Sequence, residues 1–379
     1  MLNKEEYDIA IIGGGLAGLS LSIQCVKKGY KTVLFEKEQY PYHKVCGEYI
    51  SNESYPFLQR LGIDFSSLQL PQINQLLVSD TRGKAYHFPL DLGGFGISRY
   101  TLDDLLYKTA LSKGVTICTK TKVTDVTRND NCFAISAANT HYKAKVACGT
   151  WGKKSNLDVQ WKRQFVQQKP NKLNNFIGIK YHIRYPFAHD TIALHNFKNG
   201  YCGISKIEDD KCCLCYLTTA NNLKKYNNSI AEMERELLSQ NSFLKDIFSK
   251  AQFLYSQPLA ISQISFDKKN TVENGVLMLG DGAGLITPLC GNGMSMAMHS
   301  SVLAFENISL FLGQKQTRNE MENNYETQWQ QQFAKRLLMG RTVQRLFGGA
   351  TSTSLFLQTM KLFPFIAKGV IKSTHGKAF

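Results

Sequence analysis

The residues best suited to chemistry at the start of this sequence are three glycines, Gly13, Gly15 and Gly18, which have the spacing G-x-G-x-x-G. They follow a short apolar run and precede a segment with helical spacing. At such a turn Gly13 permits the tight bend, Gly15 lets backbone N–H groups approach a pyrophosphate, and Gly18 lets the helix lie close to the strand. The helix N-terminus, which contains Leu16 and Ala17, adds partial positive charge. The spacing predicts a dinucleotide-binding turn.

An acidic residue follows at the position where a dinucleotide ribose is expected. Glu36 ends a second apolar strand, 18 residues after Gly18. A carboxylate at this place accepts hydrogen bonds from the adenosine ribose hydroxyls. We therefore predict that Glu36 and the adjoining Lys37 contact the adenosine half of the dinucleotide.

A second group of glycines begins where another buried strand ends, at Gly280-Asp281. The strand end places one carboxylate beside a dinucleotide, and the glycines that follow bring bare backbone against a flat ring. The candidate residues of this later segment share the pattern P-x-x-G-x-G-M and are Pro288, Gly291, Gly293 and Met294.

Up to about residue 310, these motifs resemble the flavoprotein superfamily of aromatic hydroxylases, flavin-dependent halogenases and geranylgeranyl reductases. The resemblance implies FAD as the cofactor, with Asp281 at the ribityl chain and residues 288–294 along the isoalloxazine. No second G-x-G-x-x-G is present. We therefore expect that NAD(P)H binds only transiently as the electron donor, or that the electrons come from another donor.

The same resemblance supplies three more candidates. Arg99 begins a segment similar to the family's R-x-x-L/F-D-x-x-L helix and is expected near the cofactor, with a surface arginine as the alternative. Val123 matches a position whose main chain contacts adenine. Cys46, in Lys-Val-Cys-Gly-Glu at residues 44–48, matches the reductase cysteine that faces the flavin, where a thiol can relay a proton. Simple packing of a loop cysteine is the open alternative.

The sequence also departs from each branch of the superfamily. Trp151 stands where hydroxylases have the aspartate of a D-G-x-x-S motif associated with pyridine nucleotides. The three tryptophans cannot compose the halogenase W-x-W-x-I-P signature. Gly200 and Tyr201 keep only part of the reductases' Y-x-W-x-F-P strand.

We therefore expect an FAD-dependent oxidoreductase of secondary metabolism, and we favour a monooxygenase that hydroxylates a hydrophobic phenolic or polyketide-type small molecule. The alternatives are an alkene reductase similar to geranylgeranyl reductase, a flavin-dependent halogenase and a non-catalytic flavin-binding protein.

Composition narrows the partners and the compartment. The net charge of +15, from 45 basic and 30 acidic residues, favours anionic partners. The sequence has no basic run interleaved with aromatic residues, so it gives no indication of nucleic acid binding.

Ten cysteines without a secretory signal predict reduced thiols and a cytoplasmic protein. Cys212, Cys213 and Cys215 alternate along a predicted strand, so we expect packing rather than a metal site.

The C-terminal segment 355–371 is apolar but contains Lys361, Pro364 and Lys368. This composition favours an amphipathic docking helix over a membrane span, and it makes the segment a candidate for peripheral membrane contact.

The elements that must position these residues form an α/β fold. The residue pattern predicts a strand at residues 7–12, a helix at 16–28 and a second strand at 32–35. Thr101 with Asp104 predicts a capping box for a later helix that ends at Gly114. The resemblance implies an FAD-binding parallel-sheet domain, Rossmann-like and of the glutathione-reductase type, formed by residues 1–70, 99–165 and 269–318. Residues 71–98 and 166–268 are expected to form a mixed β-rich substrate domain, and residues 319–379 a C-terminal helical segment.

Overall fold

The computed structural model describes residues 5–129, 131–138, 140–169, 171 and 174–379. Within these ranges the strands are β1 (Glu5–Ile12), β2 (Thr32–Phe35), β3 (Tyr49–Ser51), β4 (Gln72–Ser79), β5 (Ala85–Gly96), β6 (Thr116–Cys118), β7 (Val123–Asn129), β8 (Cys132–Ala137), β9 (Thr140–Gly149), β10 (Asn174–Arg184), β11 (Thr191–Phe197), β12 (Gly200–Lys206), β13 (Cys212–Thr219), β14 (Gln252–Phe253), β15 (Leu259–Ser265), β16 (Val272–Glu273) and β17 (Val276–Met278).

The α-helices of the same ranges are α1 (Leu16–Lys27), α2 (Tyr55–Leu61), α3 (Arg99–Ser112), α4 (Asn156–Gln160), α5 (Gln164–Gln167), α6 (Ala220–Lys225), α7 (Ile230–Glu236), α8 (Ser242–Lys250), α9 (Gly293–Leu312), α10 (Arg318–Leu346), α11 (Ala350–Leu362) and α12 (Pro364–Thr374). Two short 3₁₀ helices, Gly280–Gly282 and Pro288–Cys290, lie in the second glycine-rich segment.

The first sheet has the order β16-β17-β9-β1-β2-β6, with β7 and β8 as an antiparallel extension of β9. Strand β1 is central and runs parallel to β2 and β9, and β17 runs parallel to β9. The carboxyl ends of these parallel strands therefore meet at one edge of the sheet, which is where ligands bind in open α/β sheets. Gly13, Glu36, Thr150 and Gly280 follow those strand ends.

The second sheet has the order β14-β10-β13-β12-β11-β4-β5-β3, and β15 pairs with β10. Its pairs are antiparallel except for β11 with β4. Strand β3 pairs with β5, although it lies within the range predicted for the FAD domain. The sheet is mixed and β-rich, as expected for the second layer of the fold, and the domain boundaries themselves stay a prediction.

A continuous series of helix contacts links α1 to the C-terminal helices. Helices α1 and α9 pack against each other, α10 packs on α9, and α12 contacts both α10 and α11. The Asn292 side chain donates a hydrogen bond from Nδ2 to the carbonyl of Thr374 at 2.7 Å. This bond ties the end of α12 to the second glycine-rich segment.

The structure confirms the predicted α/β fold and the strand, helix and strand at the N-terminus. The predicted capping box at Thr101 is wrong, because α3 begins two residues earlier and the Ser98 hydroxyl accepts the N–H of Thr101 at 3.1 Å. The expectation of one C-terminal amphipathic helix is also wrong. Pro364 has no N–H to continue α11 and instead begins α12.

Across the described ranges, no single helix has both the length and the apolar composition of a membrane span, whereas α11 and α12 satisfy those criteria only together, with a bend of 109° between them.

Candidate functional site

The first glycine turn has little room for side chains at two of its three positions. Gly13 has φ +112°, and a Cβ there would lie 2.6 Å from the backbone of Thr150. A Cβ at Gly18 would lie 2.1 Å from the carbonyl oxygen of Gly13. Gly15 differs, because its Cβ would meet nothing closer than 3.9 Å. Gly13 and Gly18 are thus required by the fold, whereas the space beside Gly15 is open.

Gly15 is also the N-cap of α1, and no side chain caps this helix. Leu16 and Ala17, in its first turn, line a cavity that begins at Gly15. Free N–H groups at a helix N-terminus and a bare glycine backbone together suit an anionic diphosphate.

The cavity brings together predicted residues that are far apart in the sequence. Besides the first turn of α1, its wall includes Cys46, Arg99, Asp281, Pro288, Gly291, Gly293 and Met294. The cavity thus runs from the uncapped end of α1 to the second glycine-rich segment.

Five predicted cofactor residues lie outside the lining of this cavity, namely Gly13 and Gly18 of the first turn together with Glu36, Lys37 and Val123. Glu36 is buried after β2, and its carboxylate accepts hydrogen bonds from Gly14 N at 2.8 Å and from Glu38 N at 3.0 Å. Lys37 is exposed and pairs with Glu38 at 3.8 Å. Val123 is buried at the start of β7, and its carbonyl accepts the Nδ2 of Asn156 at 3.3 Å.

Arg99 lies on the cavity wall and is not a surface arginine. Its guanidinium donates from Nε and Nη2 to the two oxygens of Asp103, each at 2.8 Å. Lys44 also bonds Asp103 at 2.8 Å. Burial would raise the pKa of Asp103, but Arg99 and Lys44 outweigh it and keep that pKa below its ordinary value. Two cations share one carboxylate, so this wall has an excess of positive charge.

A buried lysine, Lys269, links two segments of the cavity wall through hydrogen bonds. Lys269 donates from Nζ to the carbonyl of Asp281 at 2.7 Å and to that of Lys153 at 2.9 Å. Burial lowers the pKa of Lys269 to about 8. Because Lys153 and Asp281 both line the cavity, this one ammonium group fixes two of its walls.

Trp151 does not line the cavity, although its neighbours Gly152 and Lys153 do. The Trp151 indole donates to Asp158 Oδ2 at 3.0 Å, and Ser155 with Asp158 forms a capping box for α4. Asp158 is buried and also pairs with Arg163 at 2.8 Å. In the structure, the segment that resembles the D-G-x-x-S motif thus begins a helix.

These features fit FAD. The uncapped end of α1 and the bare backbone at Gly15 would hold the pyrophosphate, and Asp281 at its strand end would face the ribityl chain. The backbone from Gly291 to Met294 would lie along the flat ring, since Gly291 has φ +64° and a Cβ at Gly293 would have only ordinary contacts.

A second cluster of ionisable groups lies directly behind Cys46. Glu48 has a left-handed backbone, with φ 56°, and its buried carboxylate lines the cavity. One oxygen, Oε1, accepts Arg99 N at 2.8 Å and pairs with Lys180 Nζ. The other, Oε2, lies 2.6 Å from Nε2 of His182. Non-glycine residues seldom adopt this backbone, so the surrounding contacts must hold it in place.

The charges of this cluster follow from its pairing. Burial would raise the pKa of Glu48, but Lys180 and His182 outweigh it, and that pKa lies below its ordinary value. Burial likewise opposes the charge on Lys180, yet Glu48 raises the pKa of Lys180 above the usual lysine value. At neutral pH the pair is therefore a buried carboxylate and ammonium.

A chain of hydrogen-bonding groups leads from Glu48 toward solvent. His182 Nδ1 lies 3.3 Å from the Tyr255 hydroxyl, which lies 2.9 Å from His43 Nε2. Tyr255 is exposed, and burial lowers the pKa of the half-buried His43 to about 4, with a smaller effect from His182. We refer to Glu48, His182, Tyr255 and His43 as the proton relay.

The sequence prediction missed this cluster. Lys180 and His182 lie two residues apart, and therefore on one face, in the buried part of β10. Buried charged or polar residues in a strand are a signal that could have indicated a site. Cys213, predicted to pack, places its Sγ 3.2 Å from the carbonyl oxygen of Cys46. Ligand atoms of Glu48, His182 and Cys213 lie within 4.8 Å of one another, but Lys180 already balances the carboxylate.

An apolar route continues from the cavity toward the C-terminal helices. The cavity shares four lining residues with a second pocket, which we call the distal pocket, and these are Tyr49, Ile192, Leu194 and Gly291. The other walls of the distal pocket are almost wholly apolar and include Leu76, Val78, Leu90, Phe347, Leu357 and Met360.

Comparison with known proteins supports the cofactor. Residues 6–148 match the family model of the FAD binding domain. The chain is 22% identical over 370 residues to conditioned medium factor receptor 1 of Dictyostelium discoideum, covering 90% of this chain and 71% of that one. It is 23% identical over 348 residues to digeranylgeranylglycerophospholipid reductase of Methanococcus vannielii, and the match covers 88% of this chain and 85% of the reductase.

Solved structures share the fold. The flavin-dependent brominase Bmp2 has a TM-score of 0.80 at 20% identity, covering 99% of this chain and 94% of its own. PqsL from Pseudomonas aeruginosa, a "probable FAD-dependent monooxygenase", has a TM-score of 0.75 at 14% identity, and the match covers 92% of this chain and 99% of PqsL. Residues 6–148 are therefore an FAD binding domain, the chain shares its fold with a flavin-dependent brominase and a probable FAD-dependent monooxygenase, and its sequence is similar to that of a digeranylgeranylglycerophospholipid reductase.

Proposed function

We propose that this protein is an FAD-dependent monooxygenase that hydroxylates a hydrophobic phenolic or polyketide-type molecule. The observation that carries the proposal is the apolar route from the cofactor cavity through Ile192 and Leu194 into the distal pocket. A molecule with a phenolic head and a long apolar chain fits a cavity of this kind, with its head beside Glu48 and its chain in the distal pocket.

FAD, when bound, supplies the redox chemistry of this reaction. The protein's own residues hold the apolar chain, exclude water and accept a proton. One atom of dioxygen enters the aromatic ring and the other leaves as water, with two electrons supplied by NAD(P)H. A phenol is activated by loss of its proton, and the proton relay that begins at Glu48 offers that proton a path to His43.

The test is a single turnover of the FAD-loaded protein under ¹⁸O₂ with a long-chain alkylphenol. The flavin is reduced photochemically, so that weak docking of NAD(P)H cannot conceal the reaction. We expect a product that contains one ¹⁸O atom. A product without ¹⁸O, or no product although the reduced flavin reoxidises, contradicts the proposal.

A second candidate is reduction of an alkene, which the position of Cys46 on the cavity wall favours. Two electrons and two protons add to the double bond, with electrons from NAD(P)H and one proton from the Cys46 thiol. An anaerobic assay with a polyprenyl substrate would then give a product two hydrogens heavier. Cys46→Ala should abolish this activity while oxygen transfer to a phenol continues.

The same assays separate the remaining alternatives. With bromide present, a brominated phenol would identify halogenation. Reduced flavin that reoxidises at one rate with or without each substrate would indicate a flavin-binding protein without turnover.

A further inference from the structure

The two C-terminal helices expose a group of large apolar side chains. The exposed fractions are 65% for Leu355, 73% for Leu362, 48% for Phe363 and 72% for Phe365. The rings of Phe363 and Phe365 contact each other edge to face, with centroids 6.0 Å apart. Such a group at the junction of α11 and α12 marks an interaction surface. We call these four residues the apolar tip.

The surroundings of the apolar tip are strongly basic. After Glu326 the sequence has no acidic residue, and residues 327–379 carry eight Lys or Arg. Three of these, Lys361, Lys368 and Lys372, are exposed on α11 and α12. Of the three, Lys368 pairs with the exposed Asp91 at 2.9 Å. The partner of this surface must therefore combine apolar material with negative charge.

The apolar tip also borders an opening of the protein. A surface cleft is lined by Leu92, Pro364 and Lys368, and Leu92 is exposed. The cleft shares Leu90, Met360 and Ile371 with the distal pocket. The two helices thus lie between the protein surface and the apolar route.

We propose that α11 and α12 dock on the surface of an anionic lipid bilayer. The apolar tip enters the interface, and Lys361, Lys368 and Lys372 contact the headgroups. A second copy of the chain would bring the same basic segment against this one, and like charges would oppose that contact. The bend of 109° and the lysines suit a helix pair that lies in the interface.

This proposal does not depend on the reaction, since binding to lipid is measured without turnover. The test is co-sedimentation of the FAD-loaded protein with two kinds of vesicle. One is pure phosphatidylcholine, and the other contains about 30 mol% of the anionic lipid phosphatidylglycerol. We expect binding to the anionic vesicles that weakens as salt is raised.

Two sets of variants test the apolar and the electrostatic contributions to vesicle binding separately. L362S/F363S/F365S should lower vesicle affinity at least about tenfold, and L111S, at an exposed leucine on α3, is its matched control. K361Q/K368Q/K372Q should lower affinity on the order of a hundredfold, from about 1 kcal/mol for each lysine near an anionic surface. K224Q/K225Q/K245Q removes three exposed lysines elsewhere and should have little effect.

Several results would overturn the proposal. One is equal binding to neutral and anionic vesicles, and another is unchanged binding by the apolar-tip variant. Light scattering that shows a dimer dissociated by L362S/F363S/F365S, without vesicle binding by the parent protein, would assign the surface to a second copy instead.

Discussion

His182 and Glu48 are joined by a contact of 2.6 Å between Nε2 and Oε2, although 134 positions separate them in the sequence. The contact exists because β10 passes behind the loop that carries Cys46, and Lys180 on the same strand pairs with the other Glu48 oxygen. The loop that faces the cofactor cavity is therefore fastened from behind by a buried carboxylate.

The first prediction concerns the stability of this ion pair. Glu48→Gln leaves Lys180 buried without its counter-charge and should lower the free energy of unfolding by about 3–5 kcal/mol. Glu48→Gln with Lys180→Met should recover part of that loss, because neither charge then remains. Urea denaturation of the single and double variants measures the coupling.

The control for this pair is Lys145→Met, which breaks a 2.9 Å pair between the exposed Lys145 and the partly buried Asp8. It should change the free energy of unfolding by less than about 1 kcal/mol. If the Glu48 and Lys180 losses simply add, the buried pair is not coupled as described.

The second prediction concerns the proton relay. Tyr255→Phe removes the hydroxyl between His182 and His43 and should slow turnover by about tenfold or more without loss of FAD. Since the pKa of His43 is about 4, its imidazole is neutral above that pH and can accept a proton. The parent rate should therefore stay level from pH 8 to about pH 5 and fall as pH drops through 4.

His43→Gln should be slow and lack this acid limb. The matched control is Tyr185→Phe, because the Tyr185 hydroxyl likewise forms a side-chain hydrogen bond, which it donates to Asp246 at 2.6 Å, but Tyr185 lies outside the proton relay. A Tyr255→Phe rate equal to the parent rate across this pH range would remove the relay from the mechanism.

Local signals explain which parts of the site could be predicted. The glycine turn and the motif at the end of β17 could be predicted, because each depends on spacing and strand pattern within a few neighbouring residues. The cap of α3 was misplaced because Ser98 and Thr101 both suit a cap, and only the extended backbone at Ser98, with φ −65° and ψ 148°, decides between them. The cluster of Glu48, Lys180 and His182 depends on which strand lies behind residue 48. That is a long-range property, and spacing alone does not contain it.

The third prediction separates cofactor contact from fold at the glycine turn. Gly15 has φ −82°, and its Cβ would meet no atom closer than 3.9 Å, so Gly15→Ala should leave the melting temperature of the apoprotein unchanged. The new methyl group would occupy the cavity, and FAD affinity should fall at least about tenfold, or about 1.4 kcal/mol. Flavin fluorescence on titration of the apoprotein measures this.

Two other glycines complete that experiment. Gly18→Ala should lower both stability and FAD content, because its Cβ would lie 2.1 Å from a backbone oxygen. Gly369→Ala on α12 has open space and should change neither quantity. Full FAD affinity in Gly15→Ala would mean that the pyrophosphate does not lie beside this glycine.

The fourth prediction concerns the length of the substrate. Ile192 lines both the cofactor cavity and the distal pocket, so Ile192→Phe should narrow the passage between them. We expect kcat/KM for a long-chain alkylphenol to fall by about tenfold or more, whereas a short-chain phenol that stays in the first cavity is turned over as before. Ile192→Val is the conservative control and should retain both substrates. Equal losses for long and short chains would show that the distal pocket does not receive the substrate chain, because a narrowed passage can discriminate only against molecules that must cross it.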